Sequence, residues 1–130
     1  MSANPKLRLV FFGQIGLLAI LGWHFRHTLN PDAVAYLRIA SYFSEGRVDL
    51  AISGYWGPLL SGLIALGQWC GLESLVAARV VMGLSAVLFL WGSQRMFVAL
   101  QLPERWQFPG LILVALASAW WSVQFITPDL

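Results

Sequence analysis

Acidic side chains are scarce in this sequence, which contains six Asp and Glu among 130 residues. Two of them, Asp32 and Asp129, lie close after long apolar runs. Two carboxylates at one surface can bind a divalent cation through hard oxygen ligands. Alternatively, one carboxylate can take a proton from an acceptor hydroxyl while the other positions a phosphate through the metal. Both acids also fit the first turn of a helix, where a negative charge faces the positive end of the helix dipole.

Three further side chains have the chemistry for metal or ligand contact. His24 and His27 lie three residues apart and offer two metal ligands, although two histidines without a third ligand are also typical of a membrane interface. Arg79 offers a guanidinium to a phosphate or carboxylate group. The alternative is an arginine that snorkels from an apolar helix toward the headgroups.

The tryptophans and the single cysteine have simpler interpretations. Interface anchoring is the favoured interpretation of three tryptophans, Trp56, Trp120 and Trp121. Stacking against a sugar is the second interpretation. Cys70 lies in an apolar stretch and has no second cysteine with which to form an internal disulfide. It is expected to be a small, buried hydrophobic residue.

The composition indicates a membrane protein. The chain is 58% hydrophobic and only 11% charged, and its mean hydropathy is +0.71, whereas a soluble domain carries about 25% charged residues. A small soluble globule needs many charged side chains outside, and lipid removes that need. The net charge of +2 comes from scattered cations rather than a patch, so no nucleic acid partner is expected.

Three apolar runs are long enough to cross a hydrocarbon core of about 30 Å. They cover residues 9–25, 75–100 and 108–126. Lys6 and Arg8 precede the first run, which carries no small-residue cleavage pattern. This predicts an uncleaved anchor with its N-terminus inside. Pro109 is expected in the first turn of the third helix, where proline is tolerated.

The orientation depends on segment 58–72, which is apolar but short and rich in glycine. Counting it as a fourth span would put Arg95 and Arg105 outside, and would place Asp32 and Asp129 on opposite faces. Leaving it on the surface makes residues from about 26 to 79 one long external loop. The short inner segments then carry the cations Lys6, Arg8, Arg95 and Arg105. The positive-inside rule favours this three-span arrangement.

The external loop contains signals for two juxtamembrane helices, at about 31–46 and 57–71. Asn30, Pro31 and Asp32 are typical of a helix start, and Gly46 of a helix end. One face of the first helix is apolar, which predicts a helix lying in the membrane interface; this face comprises Ala33, Tyr36, Ile39, Ala40 and Phe43. The fold class is therefore an all-α integral membrane protein with about three transmembrane helices and two juxtamembrane helices.

Four short motifs follow one another in an order typical of one membrane enzyme family. They are Asp32 with Tyr36 one turn later, Trp-Gly-Pro-Leu at 56–59, Ala-Ala-Arg at 77–79 and Pro-Asp at 128–129. With the charged N-terminal anchor, this order resembles the opening of the GT-C-type membrane glycosyltransferases. That superfamily includes the protein O-mannosyltransferases and the lipid A aminoarabinose transferase.

The resemblance implies a hexosyl or pentosyl transferase that moves a sugar from a polyprenyl-phosphate donor to an acceptor at the outer face of the cytoplasmic membrane. It implies that Asp32 is catalytic or metal-associated and that Asp129 supports the same site, with a divalent metal ion as the possible cofactor. By the same resemblance Tyr36, Trp56 and Arg79 would bind the substrates.

Enzymes of this family are several times longer than 130 residues. The chain, residues 1–130, is therefore expected to be a fragment that forms the N-terminal portion of a single polytopic membrane domain. Its expected partners are the bilayer, the lipid-linked sugar donor and the remaining transmembrane helices. The alternative hypothesis is a small non-catalytic membrane protein that packs against partner helices through small residues.

Overall fold

The computed structural model describes residues 5–128, and this part of the chain forms six α-helices. They are α1 (Pro5–His24), α2 (Pro31–Ser44), α3 (Val48–Ala51), α4 (Pro58–Trp69), α5 (Ser74–Ala99) and α6 (Glu104–Gln124). The all-helical prediction is confirmed. Three of these helices, α1, α5 and α6, are long and apolar enough to cross a membrane. With 12 residues, α4 is about 18 Å long, which is shorter than a hydrocarbon core of about 30 Å.

One helix begins earlier than predicted, and one short helix was not predicted. The third apolar helix begins at Glu104 rather than near residue 108, so Pro109 lies inside α6 and not in its first turn. The earlier start follows from Pro103, whose carbonyl accepts the N–H groups of Trp106 and Gln107, and from an acid in the first turn. The expected linker after α2 also contains one helical turn, α3.

Three helices end in the same hydrogen-bonded motif. After α2, Gly46 has φ +74°, and after α4, Gly71 has φ +87°. In each case two N–H groups return to the last-turn carbonyls, as in Arg47 to Tyr42 and Leu72 to Gly67, which is the Schellman arrangement. The third example, after α5, uses Gln101 at φ 52°. Gly46 therefore ends α2, as the sequence predicts.

The described part of the chain forms two compact units. Unit 1 contains residues 5–26 and 83–123, and unit 2 contains residues 27–82 and 124–128. The core of unit 1 is apolar and is formed by α1, α6 and the second part of α5. Its members are Val10, Leu90, Leu111 and Ala115, with Leu7, Phe11, Phe97, Phe108 and Val114 packed against them.

One polar residue lies inside unit 1. Gln14 is 2% exposed, and its Nε2 donates to the Ala86 carbonyl at 3.1 Å and to Ser118 Oγ at 2.9 Å. Ser118 Oγ donates in turn to the Val114 carbonyl at 2.7 Å. Gln14 Oε1 accepts no hydrogen bond from any residue of the described part. Gln14 therefore ties α1 to both other helices at the cost of one buried acceptor.

Unit 2 is built on the packing of α2 against α4. The buried side chains of α2 are Ala33, Tyr36, Ile39 and Ala40, and those of α4 are Leu60, Ser61, Ile64 and Ala65. Ser61 Oγ donates to the Tyr36 carbonyl at 3.1 Å. The apolar face of α2 is buried within unit 2, mostly against α4. The placement of α2 in the membrane interface stays a prediction. An apolar face of α4 is left open in unit 2, where Leu59, Leu63, Leu66 and Trp69 are exposed.

Candidate functional site

The candidate site surrounds the N-terminus of α2, in unit 2. Pro31 is the first helical residue and Asp32 lies in the first turn, as predicted. Asp32 is exposed, and it forms no ion pair with another residue of the described part. Its carboxylate is therefore not held in an ion pair within residues 5–128.

Asn30 precedes α2 in the extended conformation typical of a helix cap, with φ −84° and ψ 158°, but its side chain does not cap the helix. Its Oδ1 instead accepts the backbone N–H of Ile126 at 2.9 Å. Ile126 lies just after α6 and is buried, as is Thr127. The segment that leads into Asp32 is therefore joined to the segment that leads toward Asp129.

Asp129 itself lies outside the described residues. The predicted pairing of the two carboxylates, Asp32 and Asp129, therefore remains a prediction. Within residues 5–128, no group of three or more His, Cys, Asp or Glu side chains is placed to hold a metal ion. A metal bound with Asp32 would need further ligands, such as the Asp129 carboxylate or a substrate phosphate.

Arg79 lies near the start of α5 and is half-buried. Its Nη2 donates to the carbonyl of Thr28, in the loop that leads into α2. The guanidinium thus holds the loop that leads into α2 in place. This structural role differs from both interpretations made from the sequence, which were ligand binding and snorkelling.

Tyr36 and Trp56 come together through tertiary packing. Their ring centroids are 5.1 Å apart and the rings are close to perpendicular, at 75°. Tyr36 is only 5% exposed, whereas Trp56 is half-buried. The ring of Tyr55 packs edge-on against Trp56, with 4.9 Å between centroids, and is 82% exposed. Tyr55 is thus the aromatic ring of this cluster most open to a ligand, and only its position next to Trp56 could have identified it from the sequence.

A short turn presents these rings. Ser53 Oγ accepts the backbone N–H groups of Tyr55 and Trp56, each at 3.2 Å. This side-chain turn is a local alternative to helix, and it orients both rings before Pro58 starts α4. The aromatic cluster is therefore held from both sides, by the Ser53 turn and by Tyr36.

The remaining candidates lie at other places in the chain. His24 ends α1, and its ring packs edge-on against Phe25 at 4.8 Å between centroids. Trp120 and Trp121 are exposed on α6, as interface anchors would be. The expectation that Cys70 is buried is wrong, because Cys70 is exposed. It follows the last residue of α4 as the C-cap, outside the face that packs against α2.

Comparisons of the chain with protein-family models, with curated proteins and with solved structures find no match. Residues 5–128 form an all-helical fold with three apolar helices of membrane-spanning length. Function is therefore inferred from the residues of the site.

Proposed function

We propose that this chain is the N-terminal membrane part of a GT-C-type glycosyltransferase. In this proposal α1, α5 and α6 span the cytoplasmic membrane with the N-terminus inside. Residues from about 26 to 79 form the predicted long external loop. The enzyme moves a sugar from a polyprenyl-phosphate donor to an acceptor hydroxyl.

The observation that supports the proposal most is the hydrogen bond from the Ile126 N–H to Asn30 Oδ1. It joins the chain two residues before Asp32 to the chain three residues before Asp129. A shared site needs both acid-bearing segments at one membrane face, and the four-span arrangement would place them on opposite faces. The contact supports the three-span arrangement, on which the shared site depends.

The proposed chemistry assigns a role to each part of the site. Asp32 takes the proton of the acceptor hydroxyl as the new bond to the anomeric carbon of the sugar forms. The bond from that carbon to the phosphate oxygen breaks, and the polyprenyl phosphate leaves with the electron pair. Asp129 supports this step directly or as a second ligand of a divalent metal. Trp56, packed on Tyr36, and the open ring of Tyr55 offer stacking surfaces to the sugar. The Arg79 guanidinium binds the phosphate of the donor.

A non-catalytic membrane protein is the second candidate. Gly13 and Gly16 on α1 are exposed, and a Cβ added at either would meet nothing within 4 Å. Small residues on an open helix face allow the close backbone approach typical of transmembrane helix pairs. On this hypothesis the acids cap helices and the chain binds a partner helix through α1.

A transfer assay separates the two hypotheses. Membranes are prepared from cells that express the complete reading frame containing these residues and from cells in which it is deleted. Both are incubated with a panel of radiolabelled polyprenyl-phosphate hexoses and pentoses. We expect one donor to be consumed, with transfer of label, only when the reading frame is present. If membranes with and without the reading frame consume every donor of the panel equally, the result would contradict the glycosyltransferase proposal and leave the partner-binding hypothesis.

A further inference from the structure

The three helices of unit 1 bring their positively charged ends together. Leu7 from the start of α1, Phe97 from the end of α5 and Phe108 from the start of α6 pack into one apolar cluster. These three side chains therefore define one end of unit 1. That end contains the turn between α5 and α6.

Four cations flank this cluster, each within three residues of one of its side chains. They are Lys6 and Arg8 on α1, Arg95 on α5 and Arg105 on α6, and all four are exposed. We call this set the basic end. Glu104 is the only acid among the described residues of unit 1, so the basic end keeps a clear positive charge.

Aromatic rings accompany three of these cations. The charged group lies 6.0 Å from the ring centroid in each of three pairs: Lys6 with Phe108, Arg95 with Trp91 and Arg105 with Trp106. Trp91 and Trp106 are themselves exposed. Cations next to exposed tryptophans are typical of the level at which lipid headgroups lie.

Exposed apolar side chains begin directly beside the basic end. Leu9 is 68% exposed and Phe12 is 71% exposed on α1, and Met96 and Val98 are exposed on α5. A ligand that covers both the cations and this apolar surface needs an anionic group joined to a hydrocarbon. A soluble anion would cover only the charge, and a nucleic acid would leave the apolar surface in water.

We propose that the basic end binds the headgroups of anionic phospholipids, whose acyl chains lie along the exposed apolar sides of α1 and α5. This inference rests on the membrane insertion assumed in the proposed function and is independent of sugar transfer. Each cation near an anionic headgroup contributes about fivefold to the preference for that lipid. The four cations would thus select anionic over zwitterionic lipid in the layer that contacts the basic end.

The test measures lipid preference directly. The chain is placed in nanodiscs of phosphatidylcholine containing spin-labelled phosphatidylglycerol or spin-labelled phosphatidylcholine, and the immobilised fraction of each label is compared. We expect the chain to prefer phosphatidylglycerol. The double variant Arg95→Gln/Arg105→Gln should lose about fivefold of this preference for each cation removed. The control Arg38→Gln/Arg47→Gln, which removes two exposed cations of unit 2, should keep it.

A second variant separates the effect of lost charge from the effect of altered packing. Arg95→Lys/Arg105→Lys keeps both charges, so it should retain the preference even if the arginine geometry matters for packing. Equal immobilisation of both lipid labels by the unaltered chain would overturn the inference, as would equal losses in the two glutamine variants. Displacement of labelled lipid by millimolar glycerol phosphate would show a site for soluble anions instead. A chain that does not enter the nanodiscs would refute the membrane proposal itself, whereas entry without preference refutes only the lipid site.

Discussion

The Oδ1 of Asn30 accepts the backbone N–H of Ile126 at 2.9 Å, across 96 residues of sequence. Asn30 has the residue type and backbone conformation of a helix cap, yet its side chain serves this tertiary contact. The N-terminus of α2 is consequently attached to the chain that leaves α6. Arg79 holds the same loop from α5 through the carbonyl of Thr28. The exposed Asp32 is therefore presented by a segment that is tied at two points.

Replacement of Asn30 by alanine should destabilise unit 2. The variant Asn30→Ala leaves the N–H of the buried Ile126 without its acceptor, which costs about 1–3 kcal/mol of unfolding free energy. Asn30→Asp keeps an acceptor oxygen at the same position and should cost less. Thermal unfolding of the purified variants in one detergent measures the difference. Equal midpoints for the alanine and aspartate variants would contradict the importance of this contact.

Neutralisation of Asp32 should separate catalysis from helix capping. Asp32→Asn fits the first turn but loses the charge and most of the proton affinity, so transfer should fall by about 10²–10⁴-fold if Asp32 is the base. Asp49→Asn is the matched control, because Asp49 is also an exposed acid in a first helical turn. Rates are measured at saturating donor and acceptor with expression compared in parallel. Full activity of Asp32→Asn would rule out its catalytic role.

The same assay tests whether Asp129 shares the site. If both acids serve one reaction, Asp129→Asn should lower transfer to a similar extent. The double variant should then lose much less than the product of the two single losses, because groups that act as one unit are not additive. Multiplicative losses in the double variant would indicate two independent roles.

Two glycines of α4 should respond oppositely to alanine. A Cβ on Gly67 would lie 2.8 Å from the Cβ of Ala77 and 3.4 Å from its Cα, whereas a Cβ on Gly62 meets nothing within 4 Å. Gly67→Ala should therefore cost about 1–3 kcal/mol by overpacking. Gly62→Ala should gain up to about 1 kcal/mol from helix propensity. Chemical unfolding monitored by tryptophan fluorescence tests both, and a stabilising Gly67→Ala would contradict the close contact of α4 with α5.

Gln14 should tolerate an apolar residue of similar size better than a small one. Gln14→Leu loses two hydrogen bonds, but it also removes the buried Oε1 that has no donor in the described part, so unfolding free energy should change little. Gln14→Ala should cost about 2–5 kcal/mol because it opens a cavity among three helices. Thermal unfolding in detergent distinguishes these variants. A large loss in Gln14→Leu would indicate that the buried amide itself holds the helices together.

Cysteine labelling tests the proposed topology. Because Cys70 is exposed, the background must carry Cys70→Ser. Gly54→Cys is a suitable outer probe, since nothing lies within 4 Å of the added Cβ and the Ser53 turn stays intact. We expect a membrane-impermeant thiol reagent added to intact cells to label position 54. A cysteine at Gln101 should react only after the cells are opened, and its labelling from outside would require the four-span arrangement.

The sequence by itself determined the helices and most of their ends. Pro31 and Pro58 begin α2 and α4, and Gly46 and Gly71 end them in left-handed conformations. These features depend on backbone preferences within one or two turns, which neighbouring residues decide. The long apolar runs likewise predicted the three membrane-length helices. The start of α6 lies one turn earlier, at Glu104, because the carbonyl of the preceding Pro103 accepts N–H groups of the first helical turn.

Only the tertiary structure decided what covers each face and what each polar side chain contacts. The period of α2 indicates an apolar face, but lipid and the apolar side of α4 satisfy such a face equally well, so periodicity cannot choose between them. The position of Asp32 in a first turn was predictable because a helix start is local. The hydrogen bond from the Ile126 N–H to Asn30 Oδ1 was not predictable, because it joins segments that are 96 residues apart in the sequence and meet only in the folded chain.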